Sequence, residues 1–148
     1  MKKNYEIEFA KMNDIEKWLA LVEVVSDDFP GLVMSDYKKV LLENIDHKTA
    51  LCAKIDDEIV GVLLFSLEDS TLSFMSTHPS FRGLGIASKL IQEMINVFPK
   101  DSKILVTTYR DGDNKGQAAR ALYKRIGFNE AELVEEFGYP CQKFVFET

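Results

Sequence analysis

The feature that most constrains the fold is a glycine-rich turn that leads directly into a strongly amphipathic helix. The turn is the segment Ser80-Phe81-Arg82-Gly83-Leu84-Gly85, and an apolar run at residues 71–77 precedes it. After the turn, apolar residues recur at helical spacing, and they are Ile86, Ala87, Leu90, Ile91, Met94, Ile95 and Phe98. A helix with one apolar face must bury that face, so the segment predicts a strand, a tight turn and a helix packed on a sheet.

The turn also has the chemistry of an anion site. Small residues leave backbone N–H groups open at the start of a helix, where the helix dipole attracts a phosphate, and Arg82 adds a positive charge. A dinucleotide fingerprint requires glycine where this chain has Ser88, and the Gly-Lys-Ser/Thr of a Walker loop is absent. Taken alone, the glycines are also consistent with close packing of the strand against the helix.

The remaining segments predict one mixed α/β domain over residues 1–148. Alternating or short apolar runs predict strands at 5–9, 51–55, 59–67, 71–77, 104–109, 128–133 and 142–146. Helical spacing predicts helices from about residue 13, from 35 to 45, after Gly85 and before Gly127. We expect a mostly antiparallel sheet of about seven strands flanked by about four helices, with no repeat or linker.

Composition excludes several classes of protein. The formal charge of -6 disfavours nonspecific nucleic-acid binding, and no apolar run approaches the roughly 18 residues of a membrane span. The first eleven residues lack the apolar core of a signal peptide, so we expect a cytoplasmic protein. Two distant cysteines and two unpaired histidines predict neither a metal site nor a disulfide.

Two spaced motifs make the chain resemble the GNAT superfamily of N-acetyltransferases. The family pattern Q/R-x-x-G-x-G/A is matched by Arg82, Gly85 and Ala87. The family helix N-x-x-A-x-x-L-Y-x-x-x-G-F is matched by Ala119, Leu122, Tyr123, Gly127 and Phe128. The asparagine of that second pattern is replaced by Gly116, and Asn114 lies two residues earlier. The resemblance is strongest from residue 72 to residue 128.

The resemblance implies acetyl-CoA as cosubstrate, held where the fourth and fifth strands splay apart. The implied cofactor-binding residues are Met75, Ser76, Thr77, Arg82, Gly83, Leu84, Gly85, Ile86, Ala87, Ser88 and Asn114. The backbone of residues 75–77 would bind the pantetheine arm, and residues 82–88 the pyrophosphate. The cations Lys115, Arg120, Lys124 and Arg125 are candidates for the ribose phosphate, or equally form a solvated helix face.

The resemblance further implies direct attack of a primary amine on the thioester in a ternary complex, with Tyr123 as proton donor to the leaving thiolate. The alternative for Tyr123 is a packing role on the inner face of its helix. The general base is left unassigned among exposed-turn carboxylates, which are Asp27, Asp28, Glu68 and Asp111. We interpret His78 as a turn residue and Cys141 as a buried strand residue.

The acceptor is expected to be a small molecule or a peptide, bound by a monomer or homodimer. Phe29, Tyr37 and Tyr109 are candidate substrate-binding residues, with Tyr139 nearby, although aromatic residues at such positions often belong to the core or its rim. The acidic charge mildly favours a cationic acceptor. Two other functions stay open: a noncatalytic acyl-CoA-binding or sensing module, and a structural α/β domain that binds no CoA.

Overall fold

The computed structural model describes residues 4–148, which form one seven-stranded sheet and four α-helices. The strands are β1 (Glu6–Phe9), β2 (Ala50–Ile55), β3 (Glu58–Ser66), β4 (Thr71–Thr77), β5 (Lys103–Tyr109), β6 (Asn129–Glu136) and β7 (Tyr139–Glu147). The helices are α1 (Ile15–Val24), α2 (Met34–Asp46), α3 (Ile86–Val97) and α4 (Gln117–Ile126). The strand order is β1-β2-β3-β4-β5-β7-β6, which confirms the predicted mixed α/β sheet.

The sheet consists of two antiparallel parts joined by one parallel contact. Strands β1 to β4 form a meander, β5 to β7 form the second part, and β4 runs parallel to β5. The final hairpin is longer than the sequence predicts, because its turn is Phe137-Gly138 rather than residues 138–140. Both turn residues have positive φ angles, 53° and 75°, as a two-residue hairpin turn requires.

Each face of the sheet carries one pair of helices and one apolar core. Helices α3 and α4 cover a core that includes Phe65, Leu90 and Phe144, all fully buried. Helices α1 and α2 cover the opposite face, with Trp18 and Leu41 at its centre. Strand β3 is buried along most of its length because it faces both cores. Within residues 4–148, no helix is both long enough and apolar enough to cross a bilayer.

The predicted splay lies between β4 and β5. The two strands pair at Thr71 and Leu105, and the Leu105 N–H donates to the Ser70 carbonyl at 2.8 Å. They share no further residue pair within the described part of the chain, so their carboxyl ends separate. The splay is confirmed, and it leaves one edge of β4 unpaired toward the opening.

Candidate active site

The inner edge of β4 presents unpaired backbone groups to the opening. The His78 N–H donates to the Val60 carbonyl at 2.8 Å, and Ser76 is opposite Val62 in the antiparallel register of β3. Backbone groups alternate in direction along a strand, so those of Ser76 face β3 while those of Met75 and Thr77 face the opening. Of the three predicted contacts for a pantetheine arm, the backbone geometry supports Met75 and Thr77, whereas the Ser76 backbone is already paired.

The glycine turn opens a row of N–H groups at the start of α3. Gly83 and Gly85 both have φ angles of +82°, a left-handed conformation that favours glycine. Gly85 precedes the helix, and no side chain of residues 4–148 caps it. The first α-helical bond runs from the Lys89 N–H to the Gly85 carbonyl at 3.0 Å, which leaves the N–H groups of residues 86–88 without helical acceptors. This arrangement fits an anionic phosphate group.

Three side chains fix the turn to its surroundings. The His78 Nδ1 accepts the Ser80 N–H at 3.0 Å, so His78 is the turn residue that the sequence predicts. The Tyr5 hydroxyl donates to the Leu84 carbonyl at 3.4 Å. Arg82 forms an ion pair with Asp28 at 3.5 Å, and both side chains are more than half exposed. The glycine turn therefore contacts the loop between α1 and α2, which adjoins the predicted acceptor side.

Tyr123 is buried on the inner face of α4. Its ring packs against Phe128 and Phe144, with centroid separations of 5.5 and 6.0 Å, and only 5% of the residue is exposed. Burial raises the pKa of Tyr123 to about 12, because the phenolate would lose its hydration. No residue between 4 and 148 makes a hydrogen bond to its hydroxyl. The Tyr123 hydroxyl is therefore protonated at neutral pH and makes no hydrogen bond within the described chain.

Gly116 is a position where a side chain has no room. A Cβ atom there would lie 2.6 Å from the Tyr109 Cβ, so Tyr109 takes the space that the family's asparagine side chain would need. Asn114 is exposed at the start of a 3₁₀ turn over Asn114–Gly116. Its predicted contact with a cofactor stays a prediction.

A polar cluster that the sequence analysis missed lies at the carboxyl end of β5. The Tyr139 hydroxyl donates to Asp113 Oδ2 at 2.7 Å, and the Tyr139 ring meets Tyr109 edge to face at 5.4 Å. The hydrogen bond from Tyr139 holds the pKa of Asp113 below its usual value. Asp113 also accepts the Lys115 N–H at 3.0 Å, as the cap of the 3₁₀ turn. The capping pattern of Asp113 is the sequence signal that could have identified this residue as part of the cluster.

The sheet topology places the four candidate base residues at two different ends of the splay. Glu68 lies in the turn before β4, at the end where β4 and β5 are still paired, so its position does not favour it as the base. Asp111 is the second residue after β5, and Asp28 contacts Arg82 beyond the end of β4. With the neighbouring Asp27, these residues lie toward the open end of the splay.

Two of the three predicted acceptor aromatics are accessible. Phe29 is half-buried and packs on Phe74 with ring centroids 4.6 Å apart, and Tyr109 is half-buried beside Tyr139. Tyr37 is 7% exposed, and its hydroxyl accepts the Trp18 Nε1–H at 2.9 Å. Tyr37 is therefore a core residue, because its polar atom is satisfied inside the α1 and α2 core.

The predicted basic face of α4 is smaller than its sequence suggests. Arg120 is 3% exposed, so it is not placed to meet a ribose phosphate in solvent. Lys124 forms a close ion pair with Glu130. Lys115 and Arg125 remain accessible to solvent. Cys141 is 8% exposed in β7, as predicted.

Unpaired backbone along β4, next to an open helix N-terminus, suits a long thioester with an anionic head. The class of protein that this fold and site define is an acyltransferase. The chain belongs to the acetyltransferase (GNAT) family, whose model matches residues 18–128. It is also 40% identical over 57 residues to an uncharacterized N-acetyltransferase of Methanocaldococcus jannaschii. That match spans 38% of this chain and about a quarter of the relative, 24% of its length.

Solved structures share the fold over nearly the whole chain. A GNAT family acetyltransferase of Bacillus cereus aligns with a TM-score of 0.77 and 21% identity, covering 97% of both chains. Naa50 of Arabidopsis thaliana, solved with the bisubstrate analogue CoA-Ac-MVNAL, aligns with a TM-score of 0.73 and 15% identity over 97% of this chain and 99% of that one. At such identities the similarity establishes the fold.

Proposed function

We propose that the protein transfers the acetyl group of acetyl-CoA to a primary amine of a small molecule or a peptide. The observation that carries the proposal is the separation of β4 and β5 beyond the Thr71–Leu105 pair, directly beside the glycine turn. The opening supplies unpaired backbone along β4, and the turn supplies N–H groups for a phosphate. When bound, acetyl-CoA supplies the activated acetyl group that an amine attacks.

The chain's own residues suit distinct parts of this task. Backbone groups of Met75 and Thr77 would bind the amides of an extended arm, and the N–H groups of residues 86–88 would bind a pyrophosphate. The Tyr123 hydroxyl would donate a hydrogen bond where negative charge develops as the thioester breaks. These groups occupy fixed positions on strands and helices, so little reorganisation accompanies the reaction.

The acceptor must lose a proton before it can attack. An amine with a pKa near 10.4 costs about 4 to 5 kcal/mol to deprotonate at pH 7, so a nearby carboxylate or a water chain is required. Asp111, Asp113 and Asp28 lie toward the open end, and their charges favour a cationic acceptor. We propose that these carboxylates attract the ammonium form and that one of them accepts its proton.

The test is an acceptor screen with thiol release as the readout. The panel contains diamines, polyamines, amino acids, aminoglycosides and peptides with free N-termini, each mixed with acetyl-CoA and the full chain. We expect release above hydrolysis for one class of amine, with mass spectrometry showing an acetylated product. Absence of transfer to every amine, together with tight CoA binding, would contradict enzymatic function.

A noncatalytic acyl-CoA-binding module is the second candidate. The observation that favours it is Gly116, where the contact with Tyr109 excludes the asparagine of the family pattern. Calorimetric titration with CoA, run beside the acceptor screen, separates the two candidates from each other and from a structural domain without CoA affinity.

A further inference from the structure

Within residues 4–148, Arg120 is the most completely buried charged residue outside the proposed chemistry, with 3% of its surface exposed. Its Nη1 donates to the Tyr109 carbonyl at 2.9 Å and to the Gln142 Oε1 at 2.8 Å. Gln142 in turn donates to the Ala131 carbonyl at 3.0 Å. One guanidinium on α4 therefore connects the last residue of β5 to β7, and through Gln142 to β6.

The same guanidinium also forms an ion pair with Glu130, at a cost in desolvation. Nη2 lies 3.4 Å from a Glu130 carboxylate oxygen, which is an ion-pair distance, yet it is buried without a well-aligned hydrogen bond. A buried cation with an unsatisfied donor contributes little to stability, because desolvation offsets much of its attraction. Stability alone therefore does not account for an arginine at this position.

A second arginine fastens the same end of β5. Arg110 follows the strand directly, and its Nε and Nη2 donate to the carbonyls of Cys141 and Val134, both at 3.1 Å. Together with Arg120, it ties the end of β5 to the β6–β7 hairpin. The end of β5 is thus held on the side away from β4, where the splay opens.

Arg120 and Tyr123 share a packing partner. The Arg120 guanidinium carbon lies 4.9 Å from the centroid of the Phe144 ring, and the Tyr123 ring lies 6.0 Å from the same centroid. The two residues are three positions apart on α4 and face the same side of the helix. A change in the position of Arg120 therefore shifts the ring against which Tyr123 packs.

We infer that Arg120 is a positioning residue that holds the carboxyl end of β5 away from β4 and fixes Tyr123 through Phe144. This inference rests on the proposed function for its catalytic meaning, since Tyr123 matters there as the hydroxyl beside the breaking thioester. Its structural content, a coupling of the end of β5 to the Tyr123 ring, holds for the protein without any ligand.

The experiment compares Arg120→Met, Arg120→Lys and a matched control, Arg125→Met, which removes a more accessible arginine from the same helix. Hydrogen exchange is followed by mass spectrometry over residues 105–112, and the Tyr123 ring by NMR of ¹³C-tyrosine-labelled protein. Tyr123→Phe assigns the ring signal among the 5 tyrosines. Arg120→Lys keeps the charge and the alkyl stem, so it preserves more of the folded state than Arg120→Met.

We expect amide exchange over residues 105–112 to accelerate by about tenfold or more in Arg120→Met, the loss expected for a charged hydrogen bond, and less in Arg120→Lys. The Tyr123 signal moves or broadens in both variants and stays unchanged in Arg125→Met. With an amine from the acceptor screen, Arg120→Lys lowers kcat in the native background and adds no loss in Tyr123→Phe.

The inference is overturned if the Arg120 variants only lower the melting temperature while exchange over residues 105–112 and the Tyr123 signal match the native protein. CoA titration of the native protein keeps this outcome distinguishable from failure of the proposed function. A native protein that binds no CoA defeats the proposed function, whereas the exchange and ring data still decide whether Arg120 positions β5 and Tyr123.

Discussion

Replacing Tyr123 by phenylalanine isolates one hydroxyl while keeping the ring. The Tyr123 ring packs between Phe128 and Phe144, so phenylalanine preserves these contacts. The hydroxyl makes no hydrogen bond within residues 4–148, and its removal therefore breaks no hydrogen bond of the described protein. A lower turnover at unchanged stability then points to a partner of the hydroxyl that is not part of residues 4–148.

The size of the effect follows from the environment of the hydroxyl. Burial raises the pKa of Tyr123 to about 12. A free thiol has a pKa near 8.5, so complete proton transfer from this phenol to the thiolate is uphill by about 5 kcal/mol. In the proposed reaction, Tyr123 would therefore donate a hydrogen bond to the leaving sulfur rather than a free proton. A charge-assisted hydrogen bond contributes about 1.5 to 3 kcal/mol, which predicts a kcat lower by roughly 10 to 150-fold.

The assay is steady-state thiol release from acetyl-CoA, with an amine found by the acceptor screen, for both variants. Calorimetry with CoA and a melting temperature accompany each rate. We expect equal CoA affinity and similar melting temperatures, because the charge on sulfur exists only as the bond breaks. Unchanged kcat in a normally folded Tyr123→Phe protein would refute the reasoning and leave Tyr123 as a packing residue.

Three further predictions test the site and its surroundings. Gly85→Ala should weaken CoA binding, measured by calorimetry, much more than Gly138→Ala does. Both substitutions have the same cost of a positive φ angle (82° and 75°), but Gly138 lies far from α3. Equal CoA affinities of the two variants would show that the glycine turn does not bind the phosphate. Gly116→Asn should destabilise the fold by about 1 to 3 kcal/mol in denaturant unfolding, because its Cβ meets that of Tyr109 at 2.6 Å, and an unchanged midpoint would contradict this crowding. Because the raised pKa of Tyr123 favours the protonated folded state, the contribution of Tyr123 to stability should be constant below pH 10 and fall by up to about 3 kcal/mol as the pH approaches 12. Tyr123→Phe should lose part of this alkaline sensitivity in urea unfolding at pH 8 and 11, and identical curves for both proteins would count against the burial effect.

The parts of the site that depend on backbone conformation were predictable from sequence. Glycines 83 and 85, followed by an apolar repeat, predict a tight turn at a helix start, and both adopt positive φ angles there. The splay between β4 and β5 was implied by the family resemblance, and the structure confirms it. The glycine turn follows from local spacing, which a sequence displays directly, whereas the splay was available only through the resemblance.

The parts that depend on long-range side-chain contacts were not predictable. Arg120 and Gln142 are 22 positions apart, and Tyr139 is 26 positions from Asp113, so no local pattern connects either pair. A charged residue on a predicted helix face most often reaches solvent, which made Arg120 a candidate for phosphate contact. It is buried because the β6–β7 hairpin covers that end of α4 and supplies polar partners for the guanidinium. Likewise, the end of the sheet at which a turn carboxylate such as Glu68 lies is known only once the strand directions are known.

The departure from the family pattern at Gly116 has a structural explanation that reaches beyond one contact. An asparagine at position 116 would require a smaller residue at Tyr109, since the Cβ and ring atoms of Tyr109 contact that position. Tyr109 in turn packs against Tyr139, whose hydroxyl holds Asp113. The glycine, the two tyrosines and the aspartate therefore form one unit at the mouth of the opening, and substituting any one of them alone leaves a clash, a cavity or an unpaired polar group. Acceptor selectivity at this mouth should accordingly change when these residues are exchanged together rather than singly.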